Sequence, residues 1–289
     1  MVQIEASDVP RAVAAAVSTA SGLGLSVDDA IVLHVSNRLA IRLRPSDTLA
    51  RVAVSAHEAA RLELDIATRL TQTNGPVGAP DARVTPGAHE RDGFVITFWT
   101  YYEPLPAREL SPAAYADALS RLHVGMRHVD VATPHFSDRV KEAELLVGSR
   151  DRTPEIGDAD RIFLLNTFRS AMGSIAHREG AEQLLHGEPH PGNVLDTKDG
   201  PLFVDLETCC RGPVEFDLAH VPEEVSDRYP NIDRGLLRES RVLVLAMIAA
   251  WRLDPRDLFP RGRQAARELL AALREGPPYP ALGAITGLH

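Results

Sequence analysis

The first hundred residues combine two kinds of hydrophobic pattern. Short apolar runs rich in β-branched residues predict antiparallel strands, and turn-forming residues separate them. Stretches in which apolar positions recur every three or four residues predict helices. The predicted strands are residues 30–35, 39–43, 48–54, 83–85 and 94–99, and the predicted helices are residues 8–21 and 55–71.

After Trp99 the helical pattern dominates, with short segments rich in Gly and Pro between the helices. We therefore predict an α+β chain with two lobes. A small antiparallel β-sheet lobe with one helix inserted between its strands takes residues 1–98, a connector takes residues 99–105, and a larger, mainly helical lobe takes residues 106–289. The predicted helices of the second lobe are residues 112–129, 136–147, 158–179, 214–226, 233–253 and 261–273.

The composition excludes several classes of protein. No apolar run approaches the roughly 18 residues that span a bilayer, so we expect no membrane insertion. The net charge of −9 argues against a nucleic-acid partner, which would require a basic surface. The two cysteines, Cys209 and Cys210, are adjacent, a spacing that rarely gives a disulfide, and this indicates a reducing, cytoplasmic location. The oligomeric state is left open.

The densest group of polar residues lies in the second lobe. Two glycines and two prolines prevent a helix through residues 187–192, so a loop is expected there. A hairpin over residues 194–204 would return the chain to this loop, so that Glu188, Asn193 and Asp205 can converge. Carboxylate and amide oxygens suit Mg²⁺, and a further carboxylate can accept a proton from an attacking hydroxyl.

A zinc site formed by His186, Glu188 and His190 is the main alternative for this loop. Zinc proteases place two histidines on one helical turn, with a glutamate beside the first. Gly187 and the two prolines prevent that turn. The zinc alternative is therefore disfavoured.

The loop reads His186-Gly187-Glu188-Pro189-His190-Pro191-Gly192-Asn193, and residues 204–207 after it read Val-Asp-Leu-Glu. This sequence resembles the catalytic segment of the aminoglycoside phosphotransferase family, which usually reads His-Gly-Asp-x-His-x-Gly-Asn and is followed by Asp-x-Glu or Asp-x-Asp. Residues 212–219 also resemble the family, and the resemblance implies that Asp217 braces the loop.

The resemblance covers about residues 30–250 and implies the two-lobed protein-kinase-like fold. It also implies a phosphotransferase that moves the γ-phosphate of ATP or GTP to a hydroxyl of a small molecule, such as an aminoglycoside, another antibiotic or an amino sugar. In that case Glu188 is the catalytic base, Asn193 and Asp205 are Mg²⁺ ligands, and Glu207 is a possible outer ligand.

The resemblance assigns nucleotide binding to the first lobe. Arg51 on the third strand would pair with Glu63 on the helix, with Arg42 and Glu58 as the fallback pair. The other implied nucleotide-binding residues are Ser36 and Asn37, in a turn over the phosphates, and Trp99 and Tyr101, in the connector beside the adenine.

Two residues depart from the family pattern. Glu188 replaces the usual Asp, and the added methylene moves the carboxylate by about 1.5 Å unless the loop compensates. Arg51 replaces the usual Lys, in a chain with only two lysines, Lys141 and Lys198, among its 31 basic residues. Glu188 leaves a second hypothesis open, a nucleotide-binding pseudokinase that senses or scaffolds.

Overall fold

The computed structural model of the chain describes residues 4–36, 38–54, 57–105, 110–178, 181–257 and 259–279. The backbone forms two compact units. The first comprises Met1–Pro106 and Asp196–Glu207, and the second comprises Ala107–Leu195 and Thr208–His289. The sequence assigned residues 196–207 to the helical lobe, so their grouping with the first unit differs from that prediction. The connecting role of residues 99–105 stays a prediction.

The described residues of the first unit form an antiparallel sheet of the strands β1 (Val27–Val35), β2 (Leu39–Pro45), β3 (Thr48–Val54), β4 (His89–Arg91) and β5 (Phe94–Thr100). The strand order in the sheet is β1-β2-β3-β5-β4. Along β3, buried Ala50 and Val52 alternate with Arg51 because successive side chains of a strand point to opposite faces. This alternation directs Arg51 away from the face that packs in the core.

In the described part of this unit, the α-helices are α1 (Val9–Gly22) and α2 (His57–Gln72). Alanines of α1 pack in one buried cluster with residues of β2 such as Ile41. On α2, Ile66 and Leu70 are fully buried, and Glu63, which precedes Ile66 by three residues, lies on the same side of the helix and is 1% exposed. A carboxylate at such a position needs charged or hydrogen-bonding partners.

The predicted strand at residues 83–85 is wrong. The backbone N–H and Nε of Arg83 donate to Asp81 Oδ1 at 3.0 and 2.9 Å, and Thr48 Oγ1 donates to Asp81 Oδ2 at 2.7 Å. These bonds hold a turn at this point, and the strand forms later, as β4.

Backbone hydrogen bonds attach residues 196–207 to the first unit. The Phe203 N–H donates to the carbonyl of Pro76 at 2.7 Å, and the Gly78 N–H donates to the carbonyl of Phe203 at 2.9 Å. Phe203 ends strand β8 (Gly200–Phe203), which pairs with β7 (Val194–Thr197) in the predicted hairpin. Asp205 lies two residues after Phe203 and has a positive φ of 66°.

The second unit is mainly helical, and none of the helices in the described ranges is long and apolar enough to cross a membrane. The single helix predicted over residues 214–226 is two short ones, because Pro222 starts a new helix. Strands β6 (Glu182–Leu185) and β9 (Cys210–Pro213) pair in an antiparallel arrangement. The helices are α3 (Pro112–Met126), α4 (Phe136–Gly148), α5 (Asp158–Ala176), α6 (Val214–Leu218), α7 (Glu223–Ser226), α8 (Arg234–Arg252) and α9 (Gly262–Glu275).

Candidate functional site

A fully buried carboxylate braces the loop at residues 186–193. Asp217, on α6, accepts hydrogen bonds from the backbone N–H groups of His186 at 2.9 Å and Gly187 at 2.8 Å. His123 Nε2 lies 2.9 Å from Asp217 Oδ2, and His123 Nδ1 lies 2.8 Å from the Tyr229 hydroxyl. The expectation that Asp217 braces the loop is therefore confirmed.

Charge and hydrogen bonding keep Asp217 ionised. Burial alone would raise the pKa of its carboxyl group, but the hydrogen bond and charge of His123 and the backbone donor of His186 hold this pKa below its usual range. An ionised carboxylate can accept from all of these donors at once. The start of the loop is thereby fixed to α6.

Gly187 is required by the path of the loop. Its φ is +89°, and a Cβ atom added there would lie 2.0 Å from the carbonyl oxygen of Thr208. The Thr208 hydroxyl donates to the carbonyl of His186 at 3.1 Å, so the two segments run close together. Any other residue at position 187 would force them apart.

Glu188 is held by an arginine that the sequence analysis did not single out. Arg139, on α4, forms an ion pair with the Glu188 carboxylate and donates to the carbonyl of Gly187 at 3.2 Å. The Arg139 guanidinium also lies over the ring of Trp251, 5.1 Å from its centroid. The longer side chain of glutamate thus has a partner that fixes where its carboxylate lies.

The surroundings of Glu188 favour its charged form. Burial by itself would raise the pKa of Glu188, but the charge of Arg139 and the Arg139 hydrogen bond lower this pKa below its usual range. Burial in turn lowers the pKa of His220 to about 4, so that this histidine is neutral at pH 7. His220 Nε2 has no hydrogen-bond partner among the described residues.

Asn193 closes the same loop from its other end. Its side-chain Nδ2 donates to the carbonyl of Glu188 at 3.0 Å, and its backbone N–H donates to the carbonyl of His190 at 2.9 Å. Because the amide nitrogen is used as a donor, the side-chain oxygen is the atom that would serve a cation. Glu188 and Asn193 therefore lie on one internally braced loop.

In the first unit, Glu63 binds two arginines. The predicted ion pair between Arg51 and Glu63 is present, and the second carboxylate oxygen of Glu63 pairs with Arg38. The other amino group of Arg51 donates to Asp205 Oδ1 at 2.6 Å. Glu63 Oε1 also accepts from the backbone N–H of Leu206 at 3.2 Å. This carboxylate thereby connects β3, the start of β2 and the segment that carries Asp205.

Glu207 joins the same group through Arg38, whose second amino group pairs with its carboxylate. Burial and the neighbouring charge of Asp205 raise the pKa of Glu207, although the Arg38 charge opposes this shift. The Arg51 pKa is raised because the charges of Glu63 and Asp205 outweigh the effect of burial. The carboxylate of Asp205 is about one third exposed.

Three other predicted nucleotide-binding residues have structural partners in the first unit. Ser36 Oγ donates to the carbonyl of Arg38 at 3.3 Å within the predicted turn, and Trp99 Nε1 donates to Thr97 Oγ1 at 2.8 Å. Tyr101 carries Arg42 over its ring, 4.0 Å from the centroid. Asn37 lies outside the described residues.

The prediction that Arg42 could pair with Glu58, as the fallback for Arg51 and Glu63, is wrong. The Arg42 guanidinium pairs with Asp47 at 2.9 Å and Glu103 at 3.1 Å. Asp47 lies in the turn between β2 and β3, only five residues after Arg42, and this turn brings its carboxylate close to the Arg42 guanidinium.

Within the described part of the chain, no three or more His, Cys, Asp or Glu side chains form a group that could hold a metal ion. Mg²⁺ commonly takes only one or two carboxylates from a protein, and water and phosphate oxygens complete its coordination. The oxygens of Asp205 and Asn193 are of the type that this ion prefers. The convergence of these two residues with Glu188 stays a prediction.

Sequence reasoning missed Arg38, Arg139 and His220. Arg139 follows Phe136 by three residues, at the edge of the apolar stripe of a predicted helix, and Arg38 ends the predicted turn. These positions, at the edge of a helix stripe and at the end of a turn, were the only signals that the sequence gave for Arg139 and Arg38. Their carboxylate partners, Glu188 and Glu207, are distant in the chain, so the ion pairs could not be inferred.

We expect Asp217→Asn to lower the free energy of unfolding at pH 7 by about 3 kcal/mol, because the amide leaves buried donors unmatched. The pKa of Asp217 is depressed in the folded chain. Its contribution is therefore present above the ordinary aspartate pKa of about 3.9 and is lost as pH falls through the folded value. Urea unfolding at pH 7 and at about pH 3 should show the difference shrinking in acid.

The matched control is Asp130→Asn, at an exposed aspartate of the same unit. This change should alter the free energy of unfolding by less than about 0.5 kcal/mol. Equal losses in the two variants would contradict the bracing role of Asp217.

We expect Arg139→Gln to raise the pKa of Glu188, because the positive charge that opposes the effect of burial is removed. A pH titration of the carboxyl ¹³C resonance, assigned with Glu188→Gln, measures this shift. Arg169→Gln, at an exposed arginine that bonds Asn166, should leave the resonance unchanged. An unchanged titration in Arg139→Gln would refute the pairing.

Comparison with solved structures identifies the fold. An amicoumacin kinase in complex with AMP-PNP and Ca²⁺ aligns with a TM-score of 0.66 and 12% identity, over 96% of this chain and 98% of that one. The aminoglycoside 2'-phosphotransferase-IIIa in complex with GDP aligns with a TM-score of 0.67 and 15% identity, over 90% and 96%. At these identities the similarity shows the fold, and it confirms the expected two-lobed protein-kinase-like α+β class.

Sequence comparison gives a shorter match and a longer one. The serine/threonine protein kinase RdoA of Salmonella typhimurium (strain LT2) is 32% identical over an alignment of 104 residues. The match covers 30% of this chain and 31% of that protein. The match therefore spans about a third of that relative. The model of the Phosphotransferase enzyme family matches residues 34–252, well over half of the chain. The chain belongs to the Phosphotransferase enzyme family.

Proposed function

We propose that this protein transfers the γ-phosphoryl group of a nucleoside triphosphate to a hydroxyl group of a small molecule. The observation that carries the proposal is the loop at residues 186–193, which Asp217 braces and on which Arg139 holds an ionised Glu188. Phosphoryl transfer depends mainly on positioning and electrostatic stabilisation, and these are what such a rigid, charged loop supplies.

In the proposed reaction, the acceptor hydroxyl oxygen forms a bond to the γ-phosphorus. The bond from this phosphorus to the oxygen bridging the β- and γ-phosphates breaks, and the nucleoside diphosphate leaves. Glu188 orients the hydroxyl and takes its proton. A depressed pKa makes Glu188 a weak base, which suits a loose transition state in which the proton moves late.

Asn193 and Asp205 are the proposed ligands of Mg²⁺. When bound, the ion neutralises charge on the phosphates and polarises them toward attack. The chain contributes the amide oxygen of Asn193, oriented by the bond from its nitrogen to the Glu188 carbonyl, and the partly exposed carboxylate of Asp205.

Arg51 is the proposed phosphate-binding cation of the first unit. Glu63 and Asp205 hold its planar guanidinium, so its orientation is fixed before a nucleotide binds. The turn at Ser36 and Asn37 and the segment from Trp99 to Tyr101 remain the proposed contacts to the phosphates and the base. The fold relatives named above contain AMP-PNP in one case and GDP in the other, which supports testing both ATP and GTP.

The charges near Glu188 bear on the acceptor. Arg139 carries a positive charge beside its carboxylate, and the other two residues in its electrostatic surroundings, His190 and His220, are basic residues and not acidic ones. Recognition of an aminoglycoside or amino sugar would require an excess of carboxylates there. We therefore propose an acceptor without several cationic amino groups beside the reacting hydroxyl.

Several acidic residues of the second unit that could otherwise bind an amine have partners within the chain. Glu215 is buried and accepts from the backbone N–H of Asp233 at 2.9 Å. Glu223 pairs with Arg241 at 3.4 Å, and Asp227 pairs with Arg234. These intramolecular contacts favour the same type of acceptor.

We expect Glu188→Gln to lower kcat by about 10² to 10⁴-fold, because the amide cannot accept the proton. Glu188→Asp should lower it by about 10²-fold, because the shorter side chain leaves the position that Arg139 fixes. The measurement is transfer from γ-labelled ATP or GTP, with Mg²⁺, to a panel of neutral alcohols, hydroxy acids, amino sugars and aminoglycosides.

Nucleotide binding, measured by calorimetry on the same samples, is the control and should be retained in both variants. A faster Glu188→Asp variant would show that the longer side chain is a handicap. Tight nucleotide binding, with phosphate transfer at the same background rate in the unmodified chain and in both variants, would favour the pseudokinase. Transfer to aminoglycosides alone would refute the proposed acceptor class.

A further inference from the structure

Arg38 is a buried arginine at the centre of the carboxylate group in the first unit. It lies directly before β2 and is 7% exposed. Its guanidinium forms ion pairs with Glu63 through one amino group and with Glu207 through the other. The group that binds Glu63 is also 3.9 Å from Asp205 Oδ1. One planar side chain thus contacts three carboxylates.

The burial of Arg38 costs free energy, so stabilisation of the fold alone does not account for it. Arg38 Nε is buried and has no hydrogen-bond partner among the residues that the structure describes. Burying a guanidinium with an unsatisfied donor lowers the free energy of unfolding. The position of Arg38 among the carboxylates therefore calls for a functional reason.

The charge balance supplies one. Two arginines, Arg38 and Arg51, face three carboxylates, Glu63, Asp205 and Glu207, so this group carries a net charge of about −1 when all are ionised. Without Arg38 the net charge would be about −2, which would attract a further cation more strongly. Kinases of the protein-kinase type commonly use two Mg²⁺ ions with their nucleotide.

We propose that Arg38 is a built-in cation that occupies the place of a second divalent ion at Glu207, so that the nucleotide binds with one metal ion. The proposal rests on the proposed function, because it concerns the same nucleotide site. It assigns Glu207 to Arg38 and leaves Asp205 as the carboxylate for the single ion. The carboxylate of Glu207 is only 10% exposed and binds Arg38, whose charge would repel a divalent ion there, whereas the carboxylate of Asp205 is about one third exposed and can accept an ion beside Arg51.

Mn²⁺ and AMP-PNP are the probes for this test. Electron paramagnetic resonance counts bound Mn²⁺, and equilibrium dialysis of the same samples counts bound nucleotide. We expect one Mn²⁺ per nucleotide in the unmodified chain and in Arg38→Lys, which keeps the charge. Arg38→Gln should bind two, and the double variant Arg38→Gln/Glu207→Gln should return to one.

Glu207→Gln alone keeps the test decisive if Arg38→Gln does not fold. This variant should still bind one Mn²⁺, with an affinity within about threefold of the unmodified chain, because Glu207 is not a ligand. Asp205→Asn should weaken the affinity for Mn²⁺ by at least about tenfold.

Each other result overturns the inference. Two Mn²⁺ ions per nucleotide in the unmodified chain, or one in a folded Arg38→Gln variant, would show that Arg38 replaces no ion. A large loss of Mn²⁺ affinity in Glu207→Gln would show that Glu207 is a ligand. An unmodified chain that binds no nucleotide would refute the proposed function as well, and the dialysis separates that case from the others.

Discussion

A carboxylate removed from water must be matched by positive charge or hydrogen-bond donors, and each unit of this chain is organised around one such group. Glu63 is 1% exposed and Asp217 is fully buried. Each draws partners from separate parts of its unit. Glu63 binds the middle of β3, the residue before β2 and the backbone at Leu206, and Asp217 binds the start of the loop at residues 186–193 and His123 on α3. The requirement to satisfy these groups fixes the backbone on which the candidate functional residues lie.

Arginine is suited to this task in a chain that contains only two lysines. Its planar fork can contact two carboxylates at once, and both Arg38 and Arg51 do so. An ammonium group on a flexible chain would provide a point charge without this fixed geometry. The replacement of the usual lysine by Arg51 is therefore part of a wider network and changes more than one contact. The same logic applies to Arg139, which matches the longer side chain of Glu188.

The sequence allowed those features to be predicted that depend on local patterns. The strand over residues 48–54, the turn after β1 and most helix positions follow from periodicity and from turn residues. The ion pair of Arg51 and Glu63 and the bracing by Asp217 followed from the family resemblance. One failure arose where a distant residue takes part, because Asp81, which binds Arg83, also accepts from Thr48 and holds a turn where a strand was expected. Another was local, because Pro222 divides a helix that the hydrophobic pattern left continuous.

Arg38 and Arg139 were missed because each is identified by a carboxylate far away in the chain. Both bear on the chemistry, because they decide which carboxylates carry charge. The central claim is that the γ-phosphate of a nucleotide reaches an alcohol oxygen in this protein. Its most direct test is ³¹P NMR of the chain with Mg²⁺, nucleoside triphosphate and a mixture of alcohols. The account predicts a phosphate monoester resonance that grows as the γ-phosphate resonance decays, whereas inorganic phosphate as the sole product, or an unchanged triphosphate, would contradict it.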